Sequence, residues 1–269
     1  MGYQHVEVEL EGPVATIWLN RPDKLNAMSE DMWEDIPLAI GEIEADESVR
    51  VVILAGRGAS FTVGIDIAML ASLRPDASSQ AAANMKLYQA IRRLQRTASC
   101  FADSSKPVIA VVQGHCLGAG MDLITACDIR LATADATFSV RETRMGLVAD
   151  IGTLQRLPAI VGSGRTAELA LTGGDIDSGH ALRIGLVNHV GPDHEAVLAA
   201  ANDLAARIAA NSPIVTRGVK QVLAANDGRT VDQALDYVAQ WNASYLMSND
   251  LMEAVAAFME KRDPEFKGT

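Results

Sequence analysis

The sequence predicts an α/β fold followed by a region that is helical throughout. Three observations carry this. Short apolar runs bounded by glycine, proline or charge alternate with stretches of helical period, the pattern of strands and helices taken in turn. After about Asp193 no strand-like run remains. The chain has 269 residues and is 49 % hydrophobic, enough for one sizeable core with an appendage. The expected division is a core domain over 1–192 and a helical region over 193–269.

The elements follow in order. Val6–Leu10 alternates, Glu11-Gly12-Pro13 turns, and Val14–Leu19 runs on, so the chain opens on a β-hairpin. Ser29 is a good N-cap, with Glu30 and Asp31 in the first turn of a helix to about Ala45. Val51–Ala55 is a buried strand between Arg50 and Gly56. Arg74–Ser79 reads as a mobile loop, and Gln80–Cys100 as a long helix with Leu87, Ile91 and Leu94 on one face. Pro107–Val112, Asp128–Ala132 and Val187–Val190 are strands, and Met121–Cys127 is a short helix. Helices are expected over Gly152–Val161, Ser163–Thr172 and Ser178–Gly185. Four more are expected over Glu195–Ala210, Ile214–Ala224, Val231–Met247 and Asp250–Arg262.

Composition narrows the function. Lys+Arg is 23 against Asp+Glu 34, a net charge of -11, which argues against a nucleic-acid partner. A phosphate-bearing ligand remains open, since a few local cations suffice. Cys100, Cys116 and Cys127 show no CxxC spacing and read as reduced, buried thiols. The N-terminus carries Glu7, Glu9 and Glu11 and lacks the pattern of a signal peptide. No apolar run is long enough to span a membrane. No metal-ligand spacing stands out. The cytoplasm is the default location.

The chemistry-bearing signal is three carboxylates in one stretch: Asp122, Glu142 and Asp150. Several like charges around one apolar cleft cannot all ionise cheaply, so their pKa values spread apart. Such a spread lets one site hold an acid and a base. Upstream lie two turns, Phe61–Ile67 and Gly114–Gly120, each following an apolar strand. Glycines there admit close backbone approach, and two converging N–H groups would make an oxyanion hole. Each turn taken singly reads rather as an ordinary strand-to-helix connection; the two together make the oxyanion-hole reading its equal. Asp150 reads otherwise as a helix N-cap before Gly152, and Asp122 as an acid in a first helical turn.

Four segments together resemble the crotonase, or enoyl-CoA hydratase/isomerase, superfamily. They are Leu19–Met28, the Phe61–Ile67 turn, the Gly114–Leu123 turn and Gly152–Pro158. The resemblance covers nearly the whole chain, from Val6 to Glu260-Lys261-Arg262. It implies a spiral of ββα units, a C-terminal helical region that mediates trimerisation, and an acyl-CoA thioester substrate. No separate cofactor is implied, because coenzyme A belongs to the substrate. The enolate oxygen would be held by the N–H groups of Ile65 and Ala119. The family usually carries glycine where Ala119 stands, so this alanine fits only at negative φ. Lys24, Leu25, Ala27, Val63, Gly64, Ile67, Gly118 and Lys261 would line the path of the CoA ester. Asp66 is grouped with them and resembles a structural residue of the first turn.

The acids discriminate within the superfamily. Asp122 and Glu142 occupy the positions of the hydratase's two catalytic glutamates, and the hydratase has glycine where Asp150 stands. The triple, with Ala149–Pro158, resembles the dienoyl-CoA isomerases, which convert 3,5-dienoyl-CoA to 2,4-dienoyl-CoA. The resemblance thus makes Asp122, Glu142 and Asp150 the catalytic acids, with Asp122 favoured as the one that orients its neighbours. Enoyl-CoA hydratase is the rival enzyme, and a non-catalytic CoA-ester binding subunit the rival of another class. A homotrimer or homohexamer is the expected assembly.

Overall fold

The computed structural model describes residues 2–72 and 78–269. Positions 74–77 of the loop expected over Arg74–Ser79 fall outside the described residues. Ser79 lies within them and caps the following helix by accepting from the Ala82 N–H at 3.2 Å.

The chain begins with strands β1 (Val6–Glu11) and β2 (Val14–Leu19), paired antiparallel. Helix α1 (Glu30–Ala45) starts at Ser29, whose side chain accepts from the Met32 N–H as its capping position predicts. Strand β3 (Val51–Gly56) is buried along its whole length, as a strand covered on both faces must be. Helices α2 (Ile67–Ser72) and α3 (Gln80–Asp103) follow. The next unit runs β4 (Val108–Val112), β5 (His115–Leu117), α4 (Ala119–Thr125), β6 (Ile129–Thr133) and β7 (Thr137–Ser139). Then come α5 (Thr153–Val161), α6 (Ser163–Thr172), β8 (Ile176–Asp177), α7 (Ser178–Arg183) and β9 (His189–Gly191). The chain ends in α8 (His194–Ala209), α9 (Pro213–Ala225), α10 (Val231–Tyr245) and α11 (Asn249–Glu260).

Six strands form one sheet in the order β1-β2-β3-β4-β6-β9, parallel except for β1. Side chains alternate across it. Ile17, Leu19, Val52, Leu54, Ala110 and Val112 join Trp33, Ile36 and Phe101 of α1 and α3 on one face. Val14, Trp18, Val51, Ile53, Ile109 and Val111 meet Val197, Ala201 and Ala205 of α8 on the other. So α8, although it lies beyond residue 192, is one of the two layers that cover the sheet.

A second sheet, β5-β7-β8, was not foreseen from the pattern. Its strands are three, three and two residues long, too short for alternation to register. It matters for function because a bridge between Thr62 and Cys116 ties it to the turn after β3. The cysteines are free thiols. Burial pushes Cys100 and Cys127 up to about 12, so neither supplies a thiolate at neutral pH.

Candidate active site

The first turn is fixed by its neighbours before any ligand is considered. Asn26 is fully buried and held at φ 54, a left-handed conformation that asparagine tolerates better than most residues. Its amide donates to the carbonyls of Arg57 (2.9 Å) and Ser60 (2.8 Å), and its Oδ1 accepts from the Arg21 N–H at 2.8 Å. The Thr62 hydroxyl donates to the Asn26 carbonyl at 2.6 Å and accepts from the Gly64 N–H at 3.1 Å. Arg21 bridges to Asp66 at 2.6 Å and also donates to the Ala27 carbonyl at 3.1 Å. Residues 21–28 and 61–66 therefore form one rigid piece.

Main-chain pairing at the end of that piece leaves a donor free. The Met28 N–H donates to Gly64 O at 2.8 Å, and the Asp66 N–H donates to Met28 O at 3.0 Å. The N–H of Ile65, lying between them, has no backbone acceptor among the described residues. The second turn leaves another. Gly118, at φ 52, donates to Ser139 O at 2.9 Å and precedes α4. Ala119 is the first residue of α4, so its N–H lacks an intrahelical acceptor. Its φ is not positive, the condition on which alanine fits at this position. The two turns abut: a Cβ placed on Gly64 would stand 2.9 Å from Leu117 O and 3.6 Å from Ala119 N.

The acids gather around the second turn. Glu142 follows β7 and opens a short 3-10 turn, Glu142–Met145. Its Oε1 lies 3.4 Å from where a Cβ on Gly118 would stand, which places the carboxyl beside the Gly118–Ala119 peptide. Burial, then the nearby Asp150 charge, raises its pKa. Its Oε2 is buried with no hydrogen-bond partner among the described residues. Asp150 sits in an irregular segment before α5 and is half-buried, with its pKa raised by burial. Asp122, on α4, is 1 % exposed. Its Oδ1 accepts from both the N–H and the hydroxyl of Thr153 at 2.7 Å, while Oδ2 is unpartnered. Burial, with the Glu142 and Asp150 charges reinforcing it, pushes Asp122 up to about 7 against the pull of Thr153. Asp122 feels the charges of Glu142 and Asp150, and Glu142 feels that of Asp150, so the fold sets the three carboxyls within electrostatic reach of one another.

The helix-cap reading of Asp150 falls. The residue at the cap of α5 is Gly152, with no side chain, and the first N–H of the helix is taken by Asp122 from 31 positions away. That partnership was not readable in the sequence, because nothing local signals which acid reaches Thr153. The same is true of Gln95 on α3, whose amide donates to the Asp150 carbonyl at 2.6 Å.

The remaining candidates lie as follows. Asp66 has its carboxylate committed to Arg21 and the Ala68 N–H, which hold its pKa down. Ala27 uses its carbonyl on Arg21. Lys24 and Leu25 are exposed beside the first turn, and Val63, Gly64 and Ile67 line its length. Lys261 is exposed at the end of α11, in a left-handed conformation with φ 57. No cluster of metal-ligating side chains is present among the described residues. A cavity of about 570 Å³ lies elsewhere, among α8, α9, α10 and α11, and holds none of the three acids.

Comparison with known proteins bears on the family and the fold. The enoyl-CoA hydratase/isomerase family model matches residues 9–269. A mitochondrial Delta(3,5)-Delta(2,4)-dienoyl-CoA isomerase of Dictyostelium discoideum is 46% identical, over 94% of this chain and 87% of its own length. A peroxisomal isomerase of the same name from Arabidopsis thaliana is 41% identical, over 92% and 90%. The enoyl-CoA hydratase structure from Bacillus anthracis superposes with a TM-score of 0.90 at 30% identity, covering 99% of this chain and all of the other. The mitochondrial and peroxisomal relatives overturn the cytoplasmic default, which rested on thiols read as reduced, on the missing signal-peptide pattern and on the lack of a membrane-length apolar run; none of these distinguishes the cytoplasm from a mitochondrion or a peroxisome. With a family model spanning almost its whole length and relatives above 40% identity, the chain belongs to the enoyl-CoA hydratase/isomerase family.

Proposed function

We propose that this enzyme moves the two double bonds of a 3,5-dienoyl-CoA thioester to the 2,4 positions. The third acid supports the reading: Asp150 lies within electrostatic reach of Glu142 and Asp122, and Glu142 stands beside the Gly118–Ala119 peptide. The thioester oxygen lies between the N–H groups of Ile65 and Ala119. Its developing negative charge is stabilised there, which acidifies the C2 proton. Glu142, against the Gly118–Ala119 peptide, is the acid nearest the thioester and takes that proton as carboxylate. The electron pair moves to C2=C3, the C3=C4 pair to C4=C5, and the C5=C6 pair ends as a new C6–H bond. Asp150, protonated, supplies that hydrogen. One acid starts ionised and the other neutral, and they end exchanged; proton exchange with solvent restores them. Burial raises both pKa values above the ordinary carboxylate range, which favours the protonated form that each acid takes in turn.

Asp122 does not need to touch the substrate. It holds the first residue of α5, and with it the segment that carries Asp150. A hydratase needs two acids at C2 and C3 and gains nothing from a third further along the acyl chain. A mere binder of CoA esters gains nothing from crowding like charges. Lys24, Leu25 and Lys261 serve the CoA moiety in this reading. Helices α10 and α11 serve assembly into a trimer or a dimer of trimers, an arrangement supported by Val231, Leu235, Met247, Phe258 and Met259, all exposed. No helix among the described residues is long and apolar enough to cross a membrane.

The test is spectroscopic. With 3,5-dienoyl-CoA the protein should build the absorbance of a conjugated 2,4-dienoyl thioester. Hydration of a 2-enoyl-CoA far faster than this isomerisation would overturn the reading in favour of a hydratase.

A further inference from the structure

Asp150 is the acid with the least regular backbone. It belongs to no helix or strand, yet the proposed chemistry requires its carboxyl to meet C6 at one place. Its neighbours Ala149 and Ile151 are 5 % and 8 % exposed, so they fix the path of the chain on either side. Burial of flanking apolar groups is non-directional and does not fix the rotation of the peptide between them. A directional contact does. The side chain of Gln95, on α3, donates to the Asp150 carbonyl at 2.6 Å.

The orientation of that amide is set by its other end. Arg92, one turn earlier on α3, donates from Nη1 to Gln95 Oε1 at 2.6 Å. A guanidinium only donates, so the oxygen of the amide must face Arg92 and the NH₂ must face Asp150. Four residues on, along the same face of α3, the Ser99 hydroxyl accepts from Arg156 Nη2 of α5 at 2.7 Å. Helix α3 thus grips the Asp150 segment at its carbonyl and the following helix at its second turn.

We infer that Gln95 is a positioning residue for the C6 proton transfer, acting through the main chain of Asp150. The inference rests on the isomerase reading above. It makes a distinction that general stability does not: Gln95 hydrogen-bonds the segment of the C6 acid and, among the described residues, makes no hydrogen bond to Glu142 or to either turn of the N–H pair. Loss of the contact should slow delivery to C6 while leaving removal from C2 intact. The trienolate then returns to starting material more often, by taking a hydron back at C2.

The experiment runs 3,5-dienoyl-CoA in D₂O with wild type, Gln95→Ala and Gln95→Glu. It measures kcat and KM for the 2,4-diene, and the deuterium washed into C2 of recovered 3,5-diene. Gln95→Ala should lower kcat about tenfold with KM within about twofold, the scale expected for a misplaced acid. Washed-in deuterium per product formed should rise by a similar factor. Gln95→Glu keeps the size of the side chain and its contact with Arg92, but an ionised carboxylate cannot donate to the Asp150 carbonyl. It should therefore show the same signature at neutral pH, at least as strongly. Because it preserves volume, it gives the answer even if the alanine variant does not fold.

The inference is overturned if Gln95→Glu keeps the wild-type partition between exchange and product. It is equally overturned if exchange and product fall together, which is the mark of a general structural defect. If wild type makes the 2,4-diene and the variants match it, the isomerase reading stands and Gln95 has no such role. If wild type makes no 2,4-diene, the isomerase reading fails first and this inference with it.

Discussion

Asp122 carries two burdens at once: it caps a helix and it sits with two other acids in a dry place. Its folded pKa of about 7 lies above the ordinary carboxylate value of 3.8. The sign follows. Below pH 3.8 the side chain is neutral folded and unfolded, and its burial costs no charge. As pH rises towards 7 the unfolded chain ionises freely while the folded one resists, so stability is lost through that window. Asp122→Asn keeps an oxygen for Thr153 and removes the charge. Its denaturant midpoint should exceed that of wild type at pH 8, by up to about 4 kcal/mol in free energy, and the gap should close below pH 4. A pH-independent gap would show that packing rather than charge is responsible.

The two acids assigned to chemistry make a different prediction. Glu142→Gln and Asp150→Asn should each cut isomerase turnover by about 10²-fold or more. Wild-type kcat should follow a bell in pH, with both limbs above the ordinary carboxylate range because both pKa values are raised. An Asp150→Asn variant with full turnover would exclude the assigned role. These acids were legible in the sequence because carboxylates near glycine-rich turns stand out against an apolar background. The partners that orient them were not. Thr153 and Gln95 are 31 and 55 positions from the groups they bind, and an ordinary threonine or glutamine carries no local mark of such a contact.

At the level of elements, the strands and helices with caps and clear periods were readable: Ser29 before α1 and the apolar runs of β3 and β4 behave as local rules require. The small second sheet was not readable, because its order comes from pairing across the fold and from nothing in its own two or three residues. Gly152 shows how narrowly one junction is built. It sits at φ 143, and a Cβ there would stand 1.9 Å from Arg156 Nη1. Gly152→Ala should destabilise the protein by about 2 kcal/mol and lower isomerase turnover, since the same backbone carries Asp150. Thermal unfolding and the diene assay on one preparation check both. A variant with wild-type melting and wild-type turnover would show that the Arg156 side chain simply moves aside.

Over the whole molecule, the site draws on residues near 26, 64, 119, 142 and 150, so no stretch of chain contains it. Its acids were visible one by one, whereas their meeting is a property of the fold. The assembly is decided at this scale as well. Phe258 and Met259 are 81 % and 75 % exposed at the end of α11. A lone chain leaves such side chains in water, at about 25 cal/mol for each Å² of apolar surface. Light scattering at micromolar concentration should return three or six times the chain mass of 28.6 kDa. A single-chain mass would remove the assembly proposal.

The unbonded donors at Ile65 and Ala119 belong to the peptide backbone. Every amino acid except proline supplies the same N–H, so a change of side chain at either position leaves the donor in the chain. The acids have no such protection: a single base change can alter any of them. A lineage built on this scaffold could therefore exchange one reaction for another at its carboxylates while the means of stabilising an enolate passes unchanged from ancestor to descendant.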